Sequence, residues 1–227
     1  MNAIAARHRL LPAAGLLALG AAWLGPLPDW SRHAFSAHMS MHMAVVAIAA
    51  PLLALGIAGS RVDPARRWPG WFGPMVASII EFLVVWAWHA PALHHAARAS
   101  APLLALEQAS FLAVGLLLWC SAFGGGQHRR RERAAAGIGG LLLTSMHMTL
   151  LGVLLAVATR PLYTHAGGTA TAIPFGLAPL QDQHLGGVIM LAVGGSAYLA
   201  GALWLLAGLL RESAGAHSAA HPETVDG

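Results

Sequence analysis

Lysine is absent from this chain of 227 residues, and all thirteen basic residues are arginines. Charge is scarce altogether: Asp, Glu, Lys and Arg make up 10% of the sequence, where a soluble domain carries about 25%. That scarcity sets the chain outside the ordinary soluble class. With 57% hydrophobic residues and a mean hydropathy of +0.62, it points to an integral membrane protein. Cysteine occurs once, at Cys120. A single cysteine excludes an intramolecular disulfide and any C-x-x-C redox or metal motif. The net charge of +4 gives no nucleic-acid binder, because the arginines lie in short clusters between apolar runs. There is no internal repeat and no low-complexity domain.

What is present is a series of apolar runs. A bilayer-spanning helix needs about 20 mostly apolar residues. Six candidate runs lie near 10–26, 34–58, 72–92, 101–123, 136–158 and 186–210. The first is short, holds Pro12 and follows Arg7-His8-Arg9, a form shared with signal peptides cleaved near Gly20; we read it as a retained span. The arginines orient the rest. Arg7, Arg9, Arg61, Arg66, Arg67, Arg129, Arg130, Arg131, Arg133 and Arg211 fall on one side, against Arg32, Arg98 and Arg160 on the other. Ten against three is a positive-inside bias that places both termini in the cytoplasm. The expectation is an all-α, polytopic transmembrane bundle over 1–211 followed by a disordered cytoplasmic tail over 212–227. The outer loop from Thr159 to Leu185, with Gly167, Gly168, Pro174 and Pro179, is long enough to act as a lid.

Polar residues inside these runs are one-sided. His38 and His42 share a face of the second run, one turn apart, flanked by Met39, Met41 and Met43. His89 closes the third run at its outer end, with Glu81 two turns deeper. Glu107 and Gln108 fall in the first two turns of the fourth. His147 stands between Met146 and Met148 near the middle of the fifth, and Asp182 and His184 precede Met190 on the sixth. Ionisable groups within a membrane are expensive and face the bundle interior or a water-filled cavity. Five helices offering them at similar depth suggest one shared site. His94, His95 and His165 sit at helix ends and read as interfacial groups, and His217 and His221 as solvated tail residues.

Imidazole suits copper, zinc, iron and nickel, and thioether sulfur adds a preference for Cu(I). Zinc sites favour cysteine, histidine and carboxylate without methionine. The candidate metal ligands are therefore His38, His42, Met39, Met41, Met43, His89, His147, Met146, Met148 and His184, with copper as the metal. Haem held by histidines of facing helices is the alternative cofactor. Glu107 and Asp182 read either as acceptors that orient imidazoles or as helix caps. Glu81 is a hydrogen-bonding group at depth or a proton or metal partner. The methionines have a packing reading beside the ligand one.

In this order, "HMSMHMAVVAIAAPLLALG", "WAWHAPAL", "LEQASFL", "SMHMTLLG" and "LQDQHLGGVIM" resemble the CtaG family of cytochrome c oxidase assembly factors, over about residues 33–210. The resemblance implies a multi-pass protein of the bacterial inner membrane that serves biogenesis of haem–copper oxidase through copper supply. It implies oxidase subunits as partners and a periplasmic copper chaperone as a further one. The family's histidines match His38, His42, His89 and His147, and its acidic positions Glu107 and Asp182. Met41 stands where many members have Gln, and Gln108 where many have His. In this account the protein is not an enzyme. A metal transporter, a haem-binding electron-transfer protein and a metal-free scaffold are the alternatives.

Overall fold

The computed structural model describes residues 3–126, 130–163 and 176–220. His165, Gly167, Gly168, Pro174 and His221 lie outside the described residues, as does the side chain of His217. Among the described residues there is no strand. Helix α1 is Ala3–Leu24, α2 Phe35–Ile57, α3 Pro74–His89, α4 Pro91–Ala99, α5 Ala101–Phe123 and α6 Arg130–Ala156. Helix α7 runs through Pro179–Ile189, Met190–Gly195 and Ser196–Ala220, so helix continues into the segment expected as a tail.

Four stretches are long and apolar enough to cross a membrane: α2, α5, α6 and Pro179–Ala214 of α7. The pair α3 and α4, bent by 71°, makes a fifth if taken together; the apolar part of α1, His8–Leu24, is shorter. The described residues thus give four or five spans where the sequence predicts six. Met146, Leu150, Val153 and Leu154 are exposed on α6, and Leu199 and Leu203 on α7. Such outward apolar stripes fit a multi-pass membrane protein.

Proline and glycine explain the irregularities. Ala90 precedes Pro91 and is extended (φ −63°, ψ 130°), as a residue before proline prefers. That single residue turns the chain from α3 into α4 across the top of the bundle. Within α2, residues Ala44–Ala49 widen into a π-helix just before Pro51. Pro51 has no N–H, and its ring crowds the carbonyl one turn back. The backbone oxygen of Val46 is left over and accepts from Trp119 Nε1 at 2.9 Å, with Tyr198 Oη, whose proton goes to Glu81, 3.4 Å away. That oxygen pins α5 to α2, and α7 brings Tyr198 alongside. At the opposite end of the bundle Asp63, almost fully buried, accepts from the amides of Gly59, Ala65 and Gly125 at 2.8–3.0 Å and ties two loops together.

Helix packing relies on small residues, as expected where lipid competes equally for apolar surface. At Gly187 on α7 a Cβ would stand 2.6 Å from Ala156 N and 2.7 Å from Gly152 O, both backbone atoms of α6. We expect Gly187→Val to push α6 and α7 apart at a cost of about 1–3 kcal/mol or more. Lower folded yield and a lower Tm in detergent would register it; an unchanged Tm would refute the close crossing. α1 packs on α2 in the same manner: Pro12 fills the space a Cβ at Gly56 would take, and His8 Nδ1 meets Gly56 O at 2.6 Å.

Candidate metal site

Three imidazoles meet at the end of the bundle that carries the α3–α4 bend. His38 and His42 project from one face of α2 and are fully buried; His89, the last residue of α3, is nearly so. Their ring centroids lie 6.5 Å (His38–His42), 6.0 Å (His38–His89) and 5.6 Å (His42–His89) apart. Buried polar atoms are ordinarily hydrogen-bonded, so exceptions call for a reason. Here Nε2 of His38, both ring nitrogens of His42 and Nε2 of His89 are buried with no hydrogen-bond partner. A bound cation is one group that would take one nitrogen from each of the three rings.

The next residues outward are charged. The side chain of Arg98 on α4, 8% exposed, forks: one guanidinium nitrogen contacts His38 Nδ1, and Nη2 lies 2.5 Å from Glu107 Oε2. Glu107 Oε2 is itself 3.8 Å from His38 Nδ1, and Oε1 has no partner. His94 of α4 is buried, 4.9 Å from the His38 ring. One ligand atom each from His38, His94 and Glu107 lie within 4.8 Å of one another, a second candidate cluster. The Arg98 guanidinium stands between two of its members, so a cation there would sit against another cation. Among the described residues, no charged side chain bonds to the ring nitrogens of His42 or His89. Tyr163, reached by the chain leaving α6, roofs the site. Its ring stacks on Phe35 at 4.3 Å, and its hydroxyl donates to His89 O at 2.6 Å. Burial pushes the Tyr163 phenol up from its ordinary pKa. Below the imidazoles, Phe111 of α5 packs 3.9 Å from the His42 ring. A cavity of about 320 Å³ opens beside Met41 and Gln108, bounded by Trp23 and Leu104.

Deeper in the bundle the polar groups form a separate set. Glu81 is fully buried and accepts from Tyr198 Oη at 2.6 Å and Thr144 Oγ1 at 3.4 Å; Thr144 in turn pairs with Ser78 at 2.8 Å. His147 packs on Phe82, 5.3 Å between centroids, with neither ring nitrogen partnered. Phe82 is seven residues before His89, about 10 Å down the helix. Among the described residues no ring contact joins His147 to the three upper imidazoles.

Residues 3–212 match the family model described as cytochrome c oxidase caa3 assembly factor (Caa3_CtaG). The chain belongs to that family. No curated protein and no solved structure matches this assembly factor.

In the assembly factor the "QDQH" stretch builds the frame around the histidines. Asp182, fully buried, accepts from Phe35 N at 2.5 Å, Ser36 N at 3.2 Å and Ser36 Oγ at 2.5 Å. It caps α2, the helix that carries His38 and His42, rather than orienting an imidazole. Gln183 Nε2 donates to Leu155 O at 3.4 Å in the last turn of α6 and its Oε1 accepts from Leu162 N at 2.6 Å, while His184 Nε2 meets Ala158 O at 2.8 Å, so both hold the chain as it leaves α6. His184 is thereby engaged away from the three imidazoles. Of the methionines, Met41 lines the cavity, and Met39 lies under Phe35 and Gly186. Met43 and Met148 pack around Gly194 on α7, and Met146 is 62% exposed on the outer face of α6.

Two participants carry no motif in the sequence, His94 and Arg98. Arg98 had one signal available. It stands on the arginine-poor side, which it shares with only Arg32 and Arg160, nine residues before Glu107.

Proposed function

We propose that this assembly factor carries copper as Cu(I) on His38, His42 and His89 and passes it to the nascent cytochrome c oxidase by ligand exchange. The observation that carries the reading is the set of buried imidazole nitrogens with no partner, converging from α2 and α3. Imidazole donors in an apolar pocket suit a soft monovalent ion, which needs few ligands and releases them readily. Met41, between His38 and His42 in sequence and open to the adjoining cavity, supplies the thioether that a transferring ion meets next. The positive-inside bias supports a site on the periplasmic side of a bacterial inner membrane, where a copper chaperone would load it. The protein then acts by binding and release, without catalysis of its own. Haem is disfavoured, because His42 is packed against Phe111 and the three rings lie within 6.5 Å of one another, with no slot for a macrocycle between them.

The test is metal analysis with an optical spectrum on detergent-purified full chain from copper-replete growth, without chelators. Wild type should hold near-stoichiometric copper, and a His38→Ala/His42→Ala variant almost none. Metal-free wild type would leave a scaffold that binds oxidase subunits alone, and a Soret band would make the histidines haem ligands.

A further inference from the structure

We propose that Arg98 is a latch on the copper site: it decides which nitrogen of His38 carries the ring proton, and so whether that ring can bind an ion. The inference rests on the metal-site reading above but concerns atoms that are observable without metal.

A guanidinium has donors and no acceptor, and a backbone carbonyl accepts and never donates. These two facts assign protons from the hydrogen-bond partners. His89 Nδ1 lies 2.6 Å from Val85 O, so Nδ1 carries the proton and Nε2 presents a lone pair. His42 has no partner on either nitrogen and can take either form. His38 is different. Its Nδ1 faces the Arg98 guanidinium and must accept, so Nδ1 is bare and the proton is on Nε2. An Nε2–H cannot bind a metal ion, and Nε2 is the nitrogen left without a partner beside His42 and His89. Two of the three rings can therefore be ready for an ion while His38 is held in the form that refuses it.

The means of release are adjacent. Glu107 Oε2 lies 3.8 Å from His38 Nδ1, while Glu107 Oε1 and Arg98 Nε have no partner. If the guanidinium withdraws from His38, the Glu107 carboxylate faces Nδ1 and favours a proton there. One proton leaves Nε2 as one binds Nδ1, so the ring stays neutral and Nε2 gains its lone pair. The result is a carboxylate–histidine–metal chain, the arrangement that fixes a ligand histidine's form and raises its basicity. Withdrawal also removes a positive charge from beside an incoming cation. Arg98 lies two residues before the extended Ser100, at the end of the helix beyond the Ala90 bend, so its long side chain can swing away from His38 while His94, one turn back on α4, stays packed on Phe35 and His38.

The experiment uses the full chain in detergent, labelled with ¹⁵N-histidine and free of metal, with the His38 signals assigned by their absence from a His38→Ala spectrum. Wild type should show His38 protonated at Nε2. Arg98→Met should move the proton to Nδ1. Because removing one partner of a buried ion pair is disruptive, Arg98→Met/Glu107→Gln is run beside it; the amide carbonyl that replaces the carboxylate can still accept from Nδ1, so the same move is expected. Ag(I), a redox-inert probe for Cu(I), should bind Arg98→Met at least tenfold more tightly than wild type. A wild-type His38 already protonated at Nδ1, or variants in which the proton stays on Nε2, would overturn the latch. Those spectra decide the matter even if no chain binds Ag(I), an outcome that would instead remove the metal-site reading.

Discussion

Asp182→Ala should lower the stability of the bundle by about 2–9 kcal/mol, from two or three buried donors left unpaired at about 1–3 kcal/mol each. The donors are the amides of Phe35 and Ser36 and the Ser36 hydroxyl, all at the start of α2. Burial leaves little access for water to compensate: Asp182 is fully buried, and Phe35, nearly so, is stacked under Tyr163. An uncapped first turn frays, and His38 lies three residues beyond Phe35, so the loss reaches the imidazoles. Asp182→Asn keeps one acceptor oxygen and should recover a substantial part of the stability. Unfolding in detergent, followed by circular dichroism, separates the three proteins. Equal Tm values for wild type and Asp182→Ala would show that the cap carries no weight.

The role of Asp182 illustrates where sequence reading succeeds and stops. A carboxylate just ahead of a helix suggests a cap, and a cap it is, but of a helix about 147 residues away along the chain. Local spacing can say that an acidic residue wants amide donors; it cannot say whose. The apolar runs are legible because hydropathy over about 20 residues reflects a property of the solvent rather than of any partner. The run at 101–123 coincides with α5 for that reason. The π-helical stretch before Pro51 and the bend at Pro91 are not legible in the same way, although both prolines are visible. Proline announces that a carbonyl will be orphaned or a helix turned, and the neighbours decide which: Trp119 and Tyr198 in the first case, the crossing of α4 over the site in the second.

The same reasoning separates the site residues. His38 and His42 are readable as a pair because one helical turn puts them on one face whatever surrounds them. His94 reads as an interfacial helix-end histidine because Pro91 breaks the register from which its position could be counted; the 71° turn brings it back over His38. The methionines read in sequence as one soft-ligand set, yet rotation about α6 sends Met146 outward while His147 and Met148 face in. Residues i and i+1 on a helix point about 100° apart, so adjacency in "SMHM" does not imply a common target.

His89→Ala should weaken Cu(I) binding by more than the 10- to 100-fold, approximately, that loss of a ligand's supporting partner causes, whereas His147→Ala should leave affinity nearly unchanged. The contrast is clean because residue 89 holds its surroundings mainly through the backbone. Tyr163 bonds the carbonyl of His89, and the ring's own bond is to Val85 one turn back on the same helix, so an alanine there keeps the roof and the bend. His147 offers two unpartnered nitrogens as well, but they lie about two turns deeper, beside Phe82, in the layer held by Glu81, Thr144 and Tyr198. Competition titration with a Cu(I) chelator, on proteins shown to share one Tm, measures both. If His147→Ala matched the loss in His89→Ala, the ion would have to bridge both layers, and the deep carboxylate would become part of a path through the membrane. If neither variant lost affinity, the converging imidazoles of α2 and α3 would be packing alone, and the family's work on the oxidase would have to be done by its surface.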